Sequence, residues 1–498
     1  MNLGSLLHAK ATGNPQKTAL FCGSEAMSYQ ALDEASTRLA GWFLAQGLRP
    51  GERVAIHWPN SPETVQLFFA LFKAGLIAVT VNVRLKPPEI GYILDHSQAR
   101  MCFSEPALAA WAEQSRAGCR IYTGLPSLEG VGASPAMQPA DPDQPAVILY
   151  TSGTTARPKG VTHTHRTLFL TAESMACGLM DASDIMLPLT QLMHIAALTC
   201  FLLPCIYLGA SAVLMPSFDP RAVLDAVERF RCTVLFGLPA LMQFVVEEQA
   251  RNPRRVGTVR TAISGGDTVP IALQDRFATL FGLPLQEIYG MTETLPITLN
   301  PKEALRPGSM GVPKDGFELR IVDAAGKDVR EGETGEVLVR SAANCIGYWN
   351  DPEASEALLA GGWLHTGDLA SRDGRHYWFK GRKKQIIIRA GSNIAPQEVE
   401  EALYQHPAVM EVGVVGAPDR VYGQQVVSFV VLRGGQTANE ECLRRFARQR
   451  LADYKVPERI LFLDEMPKNA TGKVQRRALK EMLLSHPELL ERCGAAGA

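Results

Sequence analysis

No C-x-x-C pair occurs in this sequence, and its ten cysteines are scattered over 498 residues. The closest two, Cys200 and Cys205, have no His or Cys neighbour at metal spacing, so a zinc or disulfide scaffold is not expected. A charge excess is missing too. Lys and Arg number 50 against 51 Asp and Glu, which gives no electrostatic reason to expect nucleic acid or an acidic membrane as partner. There is no internal repeat and no low-complexity tract. The opening residues, Met1-Asn2-Leu3-Gly4-Ser5-Leu6-Leu7-His8, lack both a basic n-region and a long apolar h-region. No signal peptide is expected, and a reduced, cytoplasmic protein fits. One long uncharged run exists, Ile195 to Met215. Pro204 and Gly209 interrupt it and no Lys/Arg cluster flanks it, so it reads as strand, buried helix, strand rather than a membrane span.

What is present is enough apolar residue, 46% of the chain, to build large cores in two or more domains. Short apolar strands alternate with helices through the first 290 residues, the pattern of an α/β parallel sheet. Examples are a helix from Ser61 to Ala74, with Ser61 as N-cap and Pro62 at its first position, and a strand at Gly75–Val81. After Pro307 the texture changes. Phe317–Asp323 and Gly335–Arg340 alternate apolar and charged residues at period two, which predicts an antiparallel β subdomain. A second shift, at Gly381-Arg382-Lys383-Lys384-Gln385, introduces a compact α+β unit of about a hundred residues. The expected division is 1–382 and 383–498.

The most informative stretch is Tyr150-Thr151-Ser152-Gly153-Thr154-Thr155-Ala156-Arg157-Pro158-Lys159-Gly160, directly after an apolar strand. Small residues let backbone N–H groups turn into an anion-binding concavity, and hydroxyls add donors. Arg157 and Lys159 add charge suited to phosphate. A Walker A loop is excluded, because Lys159 precedes the last glycine and follows a proline. A Ser/Thr-rich surface loop is the alternative for any shorter match.

The whole stretch resembles the phosphate loop of the adenylate-forming superfamily: acyl-CoA synthetases, firefly-type luciferases and adenylation domains of peptide synthetases. The resemblance recurs in order along nearly the whole chain. It implies that Thr151, Ser152, Gly153, Thr154, Thr155 and Lys159 cradle ATP phosphates. Tyr289-Gly290-Met291-Thr292-Glu293 is similar to the element that stacks on adenine, touches the α-phosphate through Thr292 and holds Mg²⁺ through Glu293, with Thr154 as a second metal contact. A carboxylate beside a hydroxyl suits such a hard cation; a helix start capped by Thr292 is the alternative. Ser264-Gly265-Gly266-Asp267-Thr268 resembles the turn between adenine and acyl group, with Gly266 and Asp267 in contact with ligand, or else is a plain strand-end turn. Asp368 in Thr366-Gly367-Asp368 is implied as the ribose acceptor, with Arg382 beside it.

Lys473 resembles the C-terminal lysine that neutralises repulsion between carboxylate and α-phosphate. Lys384 falls at the family's hinge, and Gly391 lies in the segment that lines the pantetheine tunnel in CoA-forming members. His194 matches a His-x-x-Gly element in which Ala197 replaces the glycine; it is either a gate or a buried, satisfied histidine. Gln424 stands where the family commonly has Glu. The implied activity is ligation in two steps, an acyl adenylate formed from ATP and a carboxylic acid, then transfer to coenzyme A. The acid is expected to be a medium or long fatty acid or an aryl acid, in a pocket drawn from Met193, His194, Ala197, Gly266 and Leu295. The rivals are an adenylation enzyme loading a carrier protein in trans, luciferase-type oxygenation, and a non-catalytic nucleotide sensor. A homodimer is compatible with the sequence.

Overall fold

The structure is a computed structural model that describes residues 2–115, 118–128, 141–151, 158–469 and 472–490. Two large mixed sheets dominate it. In the seven-stranded sheet, Ile77–Thr80, Arg53–His57, Met101–Ser104 and Arg120–Thr123 run parallel beside Pro145–Thr151. Lys159–Thr164 returns antiparallel to Pro145–Thr151 and then pairs with Gly347–Tyr348. In the nine-stranded sheet, Leu285–Met291, Thr261–Gly265, Val234–Gly237, Ile185–Pro188, Ser211–Leu214 and Thr18–Cys22 form a parallel run with antiparallel edges.

The two sheets share one core. Ile56, Ala78, Val147 and Leu149 of the first pack in the same cluster as Leu20, Met186, Val234, Phe236 and Ile263 of the second. Between them lies the helix Pro62–Ala74, buried at every residue from Thr64 onward. A helix that is apolar all round belongs in such a layer. Its ends follow the sequence: Ser61 accepts a hydrogen bond from the Thr64 N–H, Pro62 opens the helix, and Gly75 closes it at φ 68°. Outer helices Pro220–Phe230, Pro239–Arg251 and Ile271–Phe281 cover the far face of the nine-stranded sheet.

The buried helix expected between two strands is present, and three local details add to the sequence reading. A helix at Leu3–Gly13, capped by Asn2, precedes the first strand and buries Leu3, Leu6 and Leu7. Residues 195–208 form a buried helix, but with a widened π turn at Leu198–Leu202 directly before Pro204. Proline cannot donate to the i−4 carbonyl, and a widened turn absorbs that loss. Thr292 caps no helix; it lies in the tight turn of the hairpin Leu285–Met291/Thr294–Leu299.

The β subdomain is a four-stranded antiparallel sheet containing Glu318–Val322 and Gly335–Arg340, as the period-two pattern predicts. The smaller C-terminal part has a two-stranded and a three-stranded sheet. It meets the large part through few polar contacts. The Ile271 N–H donates to Glu401 at 3.2 Å, and Arg433 pairs with Glu247, which also takes Arg276 at 2.9 Å.

Gly265 marks where the strand ends come close. A Cβ there would lie 2.1 Å from the Ile288 carbonyl oxygen, its cross-strand neighbour. Gly265→Ala is expected to cost about 1–3 kcal/mol in denaturant unfolding. Gly257→Ala, with nothing within 4 Å, should stay within about 0.5 kcal/mol.

Candidate active site

The C-terminal ends of the parallel strands open on a cleft of about 880 Å³ between the large and small parts. Ligands favour such sites because backbone groups there are left unpaired. Tyr289 and Gly290 line it from the hairpin, Gly266 and Asp267 from the turn after Thr261–Gly265, and Asp368 and Arg382 from the β subdomain. Lys473 enters from the small part. Gly266 sits at φ 85°, and a Cβ there would be 3.6 Å from Lys473 Cε. The left-handed backbone is the conformation glycine adopts without strain, and the tightest neighbour a Cβ would meet is Leu238 Cδ2 at 3.0 Å.

Asp368 and Arg382 are directly opposed on antiparallel strands. Arg382 Nε lies 3.1 Å from Asp368 Oδ1, and the Tyr289 hydroxyl donates to Asp368 Oδ2 at 2.9 Å. Burial raises the Asp368 carboxyl above its usual value, and Arg382 and Tyr289 oppose that rise. The Thr366 hydroxyl holds the turn by accepting from the Asp368 N–H at 3.0 Å.

Glu293 is buried and does not line the cleft itself. Burial raises its carboxyl, while the Tyr348 hydroxyl, donating at 2.8 Å, favours the charged form. Lys159 lies 4.5 Å from the Tyr348 ring centre and 3.8 Å from Asp351. Thr292 is pinned from below by His163, whose Nε2 donates to the Thr292 carbonyl at 2.8 Å; burial lowers His163 to about 4, so the ring is neutral. Neither Tyr348 nor His163 stands out in the sequence. Tyr348 reaches the hairpin from Gly347–Tyr348, which pairs with Lys159–Thr164, the strand that carries His163.

Lys473 is lowered from the usual lysine value, first by burial; Asp267, Asp368 and Glu293 all favour its charge, and Arg382 opposes it. The ammonium therefore sits among the acidic groups of the large part. His194 is lowered to about 4, by burial first and then by Lys473 and Arg84. Thr151 ends its strand paired with Lys159, and Met291 pairs with Thr294 across the hairpin turn. Gly391 does not join the cleft; it lies in the turn of the hairpin Ile387–Arg389/Ser392–Ile394 at φ 80°. Lys384 is exposed between two strands. Ser152, Gly153, Thr154 and Thr155 lie outside the described residues. Among the described residues no group of three or more His, Cys, Asp or Glu could cage a metal, and no helix is long and apolar enough to cross a membrane.

Residues 7–349 match the family described as AMP-binding enzyme, and residues 398–473 match its C-terminal domain. A feruloyl-CoA synthase of Amycolatopsis sp is 36% identical over 477 residues, covering 95% of this chain and 97% of that protein. An indoleacetate–CoA ligase of Aromatoleum aromaticum is 34% identical over 503 residues, covering 97% and 98%. The crystal structure of an anthranilate CoA ligase in complex with anthranoyl-AMP superposes with a TM-score of 0.93 at 30% identity, covering 97% of each chain.

Removing Arg382 tests the buried carboxylate without reference to ligands. A folded-state carboxyl raised above its unfolded value weakens the fold as pH climbs through the raised value. Arg382→Ala should raise Asp368 further. Its destabilisation is expected to be small near pH 4 and to reach about 1–3 kcal/mol near neutrality, measured by denaturant unfolding at a series of pH values.

Proposed function

The chain belongs to the AMP-binding enzyme family, and from that premise we propose that it is an acid–thiol ligase. A carboxylate attacks the α-phosphate of ATP, forming an acyl adenylate and expelling pyrophosphate. The thiol of coenzyme A then attacks the acyl carbonyl, forming the thioester as the bond to AMP breaks. The observation that carries this reading is the convergence of Gly266, Tyr289, Asp368, Arg382 and Lys473, drawn from distant segments, on one cleft.

In this reading Asp368 accepts the ribose hydroxyls and Arg382 keeps that carboxylate charged. Tyr289 and Gly266 flank the base. Thr151, Lys159 and residues Ser152, Gly153, Thr154 and Thr155 hold the phosphates. Lys473 bridges the incoming carboxylate and the α-phosphate, where two anions must meet. Positioning and charge neutralisation supply most of the acceleration. A lone buried carboxylate held by a tyrosine suits Mg²⁺, which keeps waters and phosphate oxygens as its other ligands. Glu293, with Thr154, would hold the ion, which supplies charge neutralisation at the phosphate oxygens. For the second step the unit 383–498 turns about Lys384 and brings Gly391 to the cleft as part of the thiol channel. Relatives named as feruloyl-CoA synthase and indoleacetate–CoA ligase stand beside ones named as long-chain-fatty-acid–CoA ligases, which supports an aryl or a fatty acid as the substrate class. The free cysteines among the described residues suit a cytoplasmic setting, where both cosubstrates are found.

ATP–pyrophosphate exchange with a panel of aryl and fatty acids tests the first step, and thioester formation with coenzyme A against a carrier protein tests the second. Lys473→Ala should slow exchange by about 10²-fold or more while largely sparing thioester formation from supplied acyl-AMP; equal loss in both halves refutes that role. Tyr348→Phe removes the donor that favours charged Glu293, so its carboxyl rises. The apparent KM for Mg·ATP is expected to increase about tenfold, with the deficit deeper at pH 6 than at pH 8, because the protonated acid cannot hold the cation.

A further inference from the structure

Asn82 and His194 come from distant segments and hydrogen-bond to each other, within electrostatic reach of Lys473 in the cleft. Asn82 lies two residues past the strand Ile77–Thr80, which pairs in parallel with the phosphate-loop strand Pro145–Thr151. His194 precedes the short helix Ile195–Ala197 and closes it through its carbonyl, which accepts from the Leu198 N–H at 3.1 Å. Asn82 Oδ1 accepts from the Arg84 backbone N–H at 2.9 Å, and the other end of the amide is 3.1 Å from His194 Nε2.

These two contacts decide the chemistry of the imidazole. A backbone N–H can only donate, so the atom facing Arg84 must be the amide oxygen. The end facing His194 is then the NH₂ group, which also only donates. His194 Nε2 must accept, so it carries no proton, and the ring is neutral with its proton on Nδ1. The charged groups that face the ring, Lys473 from the small part and Arg84 from the loop after the strand, both oppose a positive imidazole. Among the described residues the side-chain hydrogen bond of the His194 ring is the one to Asn82. The Nδ1–H is left for a ligand, on a ring close enough to Lys473 to feel its charge.

We propose that Asn82 is a positioning residue that holds His194 as a neutral Nδ1–H donor to the acyl group rather than a base for the thiol, an inference that rests on the ligase reading above. A general base needs a free lone pair, and the lone pair at Nε2 is occupied. A fixed donor beside an ammonium instead stabilises an acyl oxygen as charge builds on it. In thioester formation the S–C bond forms while the C–O bond to AMP breaks. The thiol proton then leaves to AMP phosphate or water, not through His194.

The test uses full-length enzyme labelled with ¹⁵N-histidine, with His194→Gln to assign the signal. Without any substrate, the His194 spectrum should show a protonated Nδ1 and a bare Nε2; a protonated Nε2 overturns the inference. Asn82→Leu should release the tautomer and lower kcat about tenfold with KM for ATP unchanged. Asn82→Asp places a carboxylate opposite Nε2, which favours the imidazolium. Its kcat should gain an ionisation near neutrality, with activity rising as pH rises and the cation is lost. A tautomer unmoved in both variants overturns the inference, whatever happens to the rate. Because the spectrum needs no acid or ATP, its failure is separate from failure of pyrophosphate exchange in the wild type, which sinks the ligase reading instead.

Discussion

A charged carboxylate loses several kcal/mol of solvation when buried, and it stays ionised only where fixed partners replace the water. The site depends on meeting that condition at Asp368. Arg382 and the Tyr289 hydroxyl occupy one oxygen each, and they come from different sheets. The same contact therefore joins the nine-stranded sheet to the β subdomain. A shift of either strand would both empty the carboxylate of partners and open the cleft wall. Electrostatics and architecture are one constraint here.

Around that contact the molecule is layered by apolar burial. Two sheets share one interior, and the nine-stranded sheet brings the ends of Thr261–Gly265 and Leu285–Met291 to the cleft. The glycines at those ends answer a steric demand. Gly265 has no room for a Cβ beside the Ile288 carbonyl, and Gly266 takes a left-handed turn with Leu238 close by. Charge accumulates where apolar packing stops. Asp267, Asp368 and Glu293 on the large part face one ammonium from the small part, and an attraction of this kind is strengthened by partial exclusion of water.

Much of this was legible in the sequence wherever the signal is local. Ser61-Pro62 names a helix start, since both the cap and the first-turn proline act within a few residues. The period-two runs at 317–323 and 335–340 name an antiparallel pair for a similar reason. Tyr289, Asp368, Arg382 and Lys473 sit in contiguous motifs, so their resemblance to a family could be read directly. Tyr348, His163 and Asn82 could not. Their partners are 55, 129 and 112 residues away, and only the tertiary fold brings them together. The helix Leu3–Gly13 also escaped notice, because its three buried leucines are too few for a clear 3.6-residue period.

The pairing of Arg433 with Glu247 has a consequence for how the small part could move. Glu247 is shared by two guanidinium groups, one from each part of the molecule. Were the smaller part to swing away, Glu247 would keep Arg276, and the departing Arg433 would pass into water. At this pairing neither side would be left with an unpaired ion in a dry setting. A clasp whose acceptor has its own resident cation can let go cheaply and re-form without waiting for a counter-charge, which is a useful property in any joint that must open once per turnover.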